Sequence, residues 1–574
     1  MLAQKNDIAL AERLSYVASL DVQAGAKGDD YEGVKTPLDL EDGALREGGA
    51  PVYSSPEVMA LVFQYAVIGV VYGGLSYMKY PILTGYFQLE GNVLSSASAL
   101  MSLGWSLKVF FGMLTDCFPI VGYNRKPYIF IGWLLTAIIL VFLAIRPAGD
   151  DASIDAENAA SNGAVLALLC AVACFSYIMA DVAQDALLVQ YAQREPDAVR
   201  GRLQSMIYAV RTVLMAVMAA ISGFCLNSTR MTGDYDWDIG VNGYFWILAI
   251  PSAVNVPVVW FFLKDTKKAA VPVGVYLQQF WDLAQKRVVW QVMIFNFMFS
   301  LFTSYIGSTA GPYVSLYWAK VENLNSSIMS IVGSMIFAVV LVATGRYGTH
   351  WNWRYVLVIT TISANAIDAI VQFITVFDLF RNQWFYLGVP LTEQLPAGIG
   401  FVIGTFVIVE LAEPGNEGVM YGLLTTITNL PGVFGPMITN VVCGQFDVSK
   451  ADIKTDTDHV RSQVAYTYIF AYSMTVIGCL WVFLLPNQKA AVMELKKTGG
   501  SYPRVAVFIF YAFFAILATS ITGTMASMFE STGCTKIAGG KGCPEGTSQL
   551  YLLGIFVPCG LALLAIAAKA FYAR

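Results

Sequence analysis

The chain is a series of long apolar runs separated by short polar breaks. A membrane-crossing helix needs roughly 20 mostly apolar residues, and runs of that length recur from residue 57 onward. The pattern predicts spans at 57–78, 93–114, 127–145, 164–189, 203–225, 243–263, 288–311, 327–344, 354–377, 385–411, 419–443 and 464–485. Two further spans follow at 504–528 and 550–570. Residues 79–92 read either as more of the first helix or as a loop. Residues 1–56 are polar and net acidic and read as a disordered cytoplasmic tail. Lys5, Asp7, Glu12 and Arg13 break any run that would serve as a cleavable signal. The expected fold is an all-α integral membrane bundle of about 14 helices. It divides into a six-helix half over 57–263, a linker over 264–287, a second half over 288–486 and an extension over 487–574.

Composition makes lipid the solvent. Of 574 residues, 56% are hydrophobic and 13% charged, with a mean hydropathy of +0.59, whereas soluble domains carry about 25% charged residues. The net charge of −5 and the lack of a basic tract leave no case for nucleic acid as a partner. The two histidines, His350 and His459, fall in predicted loops, so no intramembrane His-based metal site is expected. No cofactor is called for.

Charge sets the orientation. With the N-terminus in the cytoplasm, Arg125, Lys126, Arg194, Lys264, Lys286, Arg287, Lys496 and Arg504 share the inner side, and the loops around 150–157, 233–238 and 447–458 on the other side are acidic. Both termini are then cytoplasmic. The N-x-S/T sequons at Asn227 and Asn325 fall on the outer face, as glycosylation requires. So do Cys534 and Cys543, where a disulfide would persist. These features favour a secretory-route membrane, the plasma membrane first.

The two halves echo each other. Glu195-Pro196 follows the fourth span and Glu413-Pro414 the tenth, 218 residues later. Duplicated helix bundles with a solute site between the repeats are the plan of many secondary carriers.

The loop Gly112-Met-Leu-Thr-Asp116-Cys-Phe-Pro119-Ile-Val-Gly122-Tyr-Asn-Arg125-Lys126 resembles the signature of the major facilitator superfamily, lengthened by Phe-Pro. Together with Trp105-Ser-Leu-Lys108, Ala180-Asp181-Val-Ala-Gln-Asp185 and Gly201-Arg-Leu203-Gln204 running on to Arg211, it is similar to the folate–biopterin transporter family over about residues 57–486. The resemblance implies a 6+6 helix bundle moving a folate, pterin or related solute, and a gating network at Asp116, Arg125 and Lys126. Glu413 is a candidate for the opposite side of that gate. The two C-terminal spans depart from the twelve-helix plan.

Charged side chains in a bilayer are costly, and each is a functional hypothesis with a partner to find. Lys108, Asp181, Asp185 and Arg211 form the informative set. Asp181 and Asp185 are four apart and share a helix face. Asp181 precedes the end of its span by eight residues and Arg211 follows the start of the next by eight, so both lie about 12 Å deep. One role is solute and proton binding, with Arg211 or Lys108 on an anionic group and an aspartate exchanging a proton. The other is mutual neutralisation that locks helices together. Asn296 and Asn429 are candidate cavity residues, and Asn429 matches Arg211 under the 218-residue offset. Asp368 is isolated and expected to be structural. Tyr65, Tyr72, Tyr177, Tyr305 and Phe401 are candidates for stacking on a ring. Asn429-Leu-Pro431-Gly432 predicts a kink.

The leading expectation is a proton-coupled carrier by alternating access, with a folate- or pterin-like solute and protons as partners. Other solutes, S-adenosylmethionine or nucleoside-like, remain open. So does a non-transporting receptor or scaffold on the same fold. No nucleophile, base or metal constellation for an enzyme occurs in the spans.

Overall fold

A computed structural model describes residues 49–192, 194–195, 202–265, 267, 270–348, 351–411 and 417–543. The predicted span at 550–570 and most of the tail lie outside these residues. Contacts divide the chain into a small unit, residues 1–51 with 190–202, and a large one, 52–189 with 203–574. In the small unit Arg194 Nε donates to the Gly49 carbonyl at 3.1 Å.

The described residues are nearly all helical. Eleven of their helices are long and apolar enough to cross a membrane. In chain order the first six helices are α1 (Pro56–Tyr86), α2 (Gly91–Cys117), α3 (Lys126–Ile145), α4 (Ala156–Ala192), α5 (Arg202–Cys225) and α6 (Gly240–Phe262). The next four are α7 (Arg287–Tyr305), α8 (Asn323–Tyr347), α9 (Trp353–Val376) and α10 (Val389–Leu411). Then come α11, in two pieces (Glu417–Asn429 and Pro431–Cys443), α12 (Asp458–Leu484) and α13 (Pro503–Ser527). Large apolar side chains such as Val339 and Phe261 are 68% and 74% exposed. Such a surface is stable only against lipid.

Local chemistry fixes several ends. Ser55 caps α1 by accepting from the Val58 N–H, with Pro56 opening the helix. Its first span runs past the predicted end at 78, because the backbone continues as π-helix over Lys79–Tyr86. Pro431, which lacks an N–H, opens the second piece of α11 and breaks that helix at Leu430. The helix Val273–Gln285 joins the two six-helix groups and packs on α2, α11 and α13.

The two groups meet along α2 and α11, and α13 packs on both. The Asn440 amide donates to the Asn92 carbonyl at 3.1 Å and to Ser96 Oγ at 2.8 Å, while Ser527 Oγ donates to the same Ser96 Oγ at 2.5 Å. All four residues lie toward the end of the bundle that carries the acidic loops, hereafter the acidic end. Further bonds between the groups close that end. Tyr80 Oη donates to Val321 O at 2.5 Å, Lys450 N–H to Glu90 at 3.0 Å, and the Asn323 amide to Ser222 O at 2.7 Å. At the same end Arg381 makes a two-point pair with Asp456 at 2.6 and 2.9 Å, and Arg461 joins at 2.9 Å. Hydrogen bonds from Arg381 and then Arg461 hold the Asp456 carboxyl down at about 2.

Candidate functional site

The four charges singled out in the sequence meet. Lys108 Nζ lies 3.5 Å from Asp181 and 3.4 Å from Asp185, and Arg211 Nη1 lies 3.9 Å from the other oxygen of Asp181. Asp181 is wholly buried. Tyr65 Oη donates to Asp185 at 2.6 Å, and Tyr208 Oη at 3.4 Å.

The backbone explains the convergence. The middle of α2 tightens to a 3-10 turn over Leu103–Leu107, in which residues three apart eclipse. Trp105 and Lys108 therefore project to one side, and the Lys108 ammonium sits 4.5 Å from the Trp105 ring centre. Close helix approaches do the rest. A Cβ on Gly69 of α1 would lie 2.5 Å from the Arg211 carbonyl, and one on Gly132 of α3 would lie 2.8 Å from Ala180 Cβ. Bare glycines thus bring α1 against α5 beside Arg211, and α3 against α4 beside Asp181.

Above this ion cluster lies a cavity of about 460 Å³, a size suited to a drug-sized organic solute. Its walls are aromatic: Tyr72, Trp105, Tyr177, Tyr305 and Phe401. The Arg211 guanidinium sits 5.4 Å from the Tyr72 ring and 5.9 Å from the Trp105 ring. Asn429, at the break of α11, also lines it and donates to the Trp105 carbonyl at 3.5 Å.

Other candidates fall elsewhere. Asn296 is absent from the cavity wall. Tyr65 serves Asp185 rather than a solute ring. The Arg125 guanidinium holds both Asp116 and Thr115. The backbone N–H groups of Arg125 and Lys126 each donate to Asp265 at 3.0 Å, a partner 140 residues away that no local motif announces. Glu413 lies outside the described residues. Asn227 is 1% exposed, with its carboxamide oxygen accepting from Leu324 N–H, and the Asn325 amide donates to Gln383. In this conformation both sequon asparagines are largely enclosed. Cys534 and Cys543 are bonded to each other.

Sequence reasoning missed Lys79, Ser76, Ser102 and Cys174, which also line the cavity. A charge at the end of an apolar run reads as the end of a helix, which hid Lys79. Serines and a cysteine inside spans carry no distinguishing signal.

A sequence model of the BT1 family matches residues 69–504. The chain is 24% identical over 432 residues to the Folate-biopterin transporter of Synechocystis sp., covering 70% of this chain and 78% of that one. It is 18% identical over 410 residues to Folate transporter 1 of Plasmodium falciparum, covering 71% and 75%. Among solved structures, the D-xylose-proton symporter superposes with a TM-score of 0.54 at 12% identity, over 75% of this chain and 98% of that one. A bacterial homolog of the lysosomal transporter Spinster, inward-facing and unoccupied, gives 0.51 at 12% identity, over 78% and 99%. These two establish the fold alone. With that fold, an aromatic cavity over buried ion pairs, and a match spanning α1 to the start of α13, the chain belongs to the BT1 family and is a multi-pass membrane transporter of the major facilitator type, not an enzyme.

Proposed function

We propose that the protein is a proton-coupled carrier of a folate, a pterin or a related ring-bearing solute, working by alternating access. The observation that carries this is the aromatic cavity seated on a charge-balanced set of two cations and two carboxylates. The transporters it resembles carry folate or biopterin in their names, and flat heterocycles suit aromatic walls.

Coupling follows from the balance. A proton on Asp181 or Asp185 removes one negative charge and frees part of the hold on Lys108 and Arg211. The cavity floor becomes more positive and grips an anionic group of the solute more strongly. Loss of the proton on the other side restores the ion pairs and weakens that grip. Proton and solute thereby move together. Asp116, Arg125 and Lys126, with Glu413 opposite, act as the gate at the basic end. That end faces the cytoplasm, with both termini, and the plasma membrane is the expected site. Residues 57–263 and 288–486 are the two moving halves.

Uptake of radiolabelled folate, biopterin and S-adenosylmethionine, with and without a proton ionophore, tests the reading. Ionophore-sensitive uptake of folate or biopterin is expected. A correctly localised protein that moves neither refutes the solute assignment, and uptake indifferent to the ionophore refutes the coupling.

A further inference from the structure

Lys79 is the one cavity-lining charge that this mechanism leaves unused. It lies where α1 passes from α to π winding, seven residues beyond Tyr72, about 10 Å along the axis. Tyr72, Leu75, Ser76 and Lys79 share one face and line one side of the cavity. Lys79 thus marks the pole opposite the Tyr72–Trp105–Arg211 cluster. The next residue, Tyr80, makes the 2.5 Å bond to Val321 that helps close the acidic end. Lys79 sits directly beneath that seal.

Charge accounting sets Lys79 apart. Lys108 and Arg211 lie against Asp181 and Asp185. Among the described residues Lys79 has neither an ion-pair nor a hydrogen-bond partner, and no carboxylate lines the cavity. The cavity and its floor hold three cations and two carboxylates, so one positive charge is in excess, and it stands at Lys79. A cation enclosed without a counter-charge is costly. Snorkelling to the lipid headgroups would relieve that cost, but the side chain is part of the cavity wall. A negatively charged solute would supply the missing partner.

We infer that Lys79 is an anion subsite, taking a carboxylate of a solute whose aromatic ring lies at the Tyr72–Trp105–Arg211 end. The solute class is an extended aromatic acid with about 10 Å between ring and carboxylate, in preference to a neutral heterocycle. This rests on the carrier reading above and narrows it. An ammonium acts as a point charge with three rotatable donors, so it accepts carboxylates in varied orientations.

Pteroate and its methyl ester test the subsite, because they share ring and length and differ in charge. Binding to the purified full-length protein is read by quenching of tryptophan fluorescence. The wild type should prefer the acid by about tenfold or more. Lys79→Gln should reduce that preference to within about twofold, and Lys79→Arg should keep most of it. A second arm needs no solute: modification of Cys174 by sulfonatoethyl and by trimethylammonioethyl methanethiosulfonate, read by peptide mass spectrometry. Lys79→Gln should lower the anionic-to-cationic rate ratio about fivefold or more. An unchanged ratio at Cys174 overturns the inference, and so does a wild type that binds ester and acid equally. If neither pteroate compound binds while the Cys174 ratio shifts, the pterin reading falls and the anion subsite stands.

Discussion

Two carboxylate groups in the bundle show different ways of keeping an acid inside a membrane. Asp181 and Asp185 on α4 face Lys108 and Arg211, and Arg211 in turn lines the cavity. Asp368 on α9 is held by neutral donors, Tyr472 Oη at 2.9 Å and the Gln372 amide at 3.1 Å. Among the described residues it has no ion-pair partner, and it is absent from the cavity wall. It is not isolated, since the carboxyl of Glu393 on α10 interacts with it electrostatically, and its hydrogen bond from Tyr472 ties α9 to α12. On the carrier reading, what separates the two groups is the counter-charge beside Asp181 and Asp185 and the open space next to it. Position in a span is not enough.

The sharpest way to break this contrast is Asp181→Asn. Proton-driven uptake should fall on the order of 100-fold with surface expression intact, and full activity would mean that Asp181 is not a required proton carrier. Arg211→Lys keeps the charge but loses the planar fork over Tyr72 and Trp105, and should cost about tenfold in uptake. A loss equal to that of Asp181→Asn would mean that its planar geometry is indispensable. Asp368→Asn should leave uptake within about threefold and lower stability by about 1 kcal/mol, read as a small drop in melting temperature of the detergent-purified protein. Uptake lost as fully as in Asp181→Asn would mean that the two carboxylate groups do not differ in role.

The smallest effect concerns a pair in contact with water. The folded-state carboxyl of Asp456 is held at about 2, below its unfolded value of about 3.9. Its stabilisation is therefore complete above about pH 4 and lost as pH falls toward 2. The melting-temperature gap between wild type and Asp456→Asn should be constant at neutral pH and close in that acid window. A gap that persists at pH 2 would show that packing, rather than charge, is what the pair supplies.

Much of this was legible in the sequence because it depends on local spacing. Helical period and span depth are enough to bring Asp181 to Arg211, since a short connection makes α4 and α5 neighbours. Pro431 and Gly432 announce the break in α11 for the same reason. What was hidden depends on distant chain or on non-standard winding. Asp265 reaches the start of α3 across 140 residues, and the π turn that carries Lys79 into the cavity looks, in an apolar window, like the end of a helix. Asn296 shows the converse: a polar residue in a span need not be part of the cavity wall.

The thirteenth helix changes the mechanics of the seam it covers. In a twelve-helix bundle the two groups would part along α2 and α11 as the acidic end opens. Here Ser96, Asn440 and Ser527 meet at one knot drawn from α2, α11 and α13. To open, α13 must desert one neighbour and travel with the other. A stroke that exposed the cavity at the acidic end would have to untie a three-stranded join rather than unzip two surfaces. On the alternating-access reading, the extension adds the Ser527–Ser96 bond to what must break before the acidic end can open.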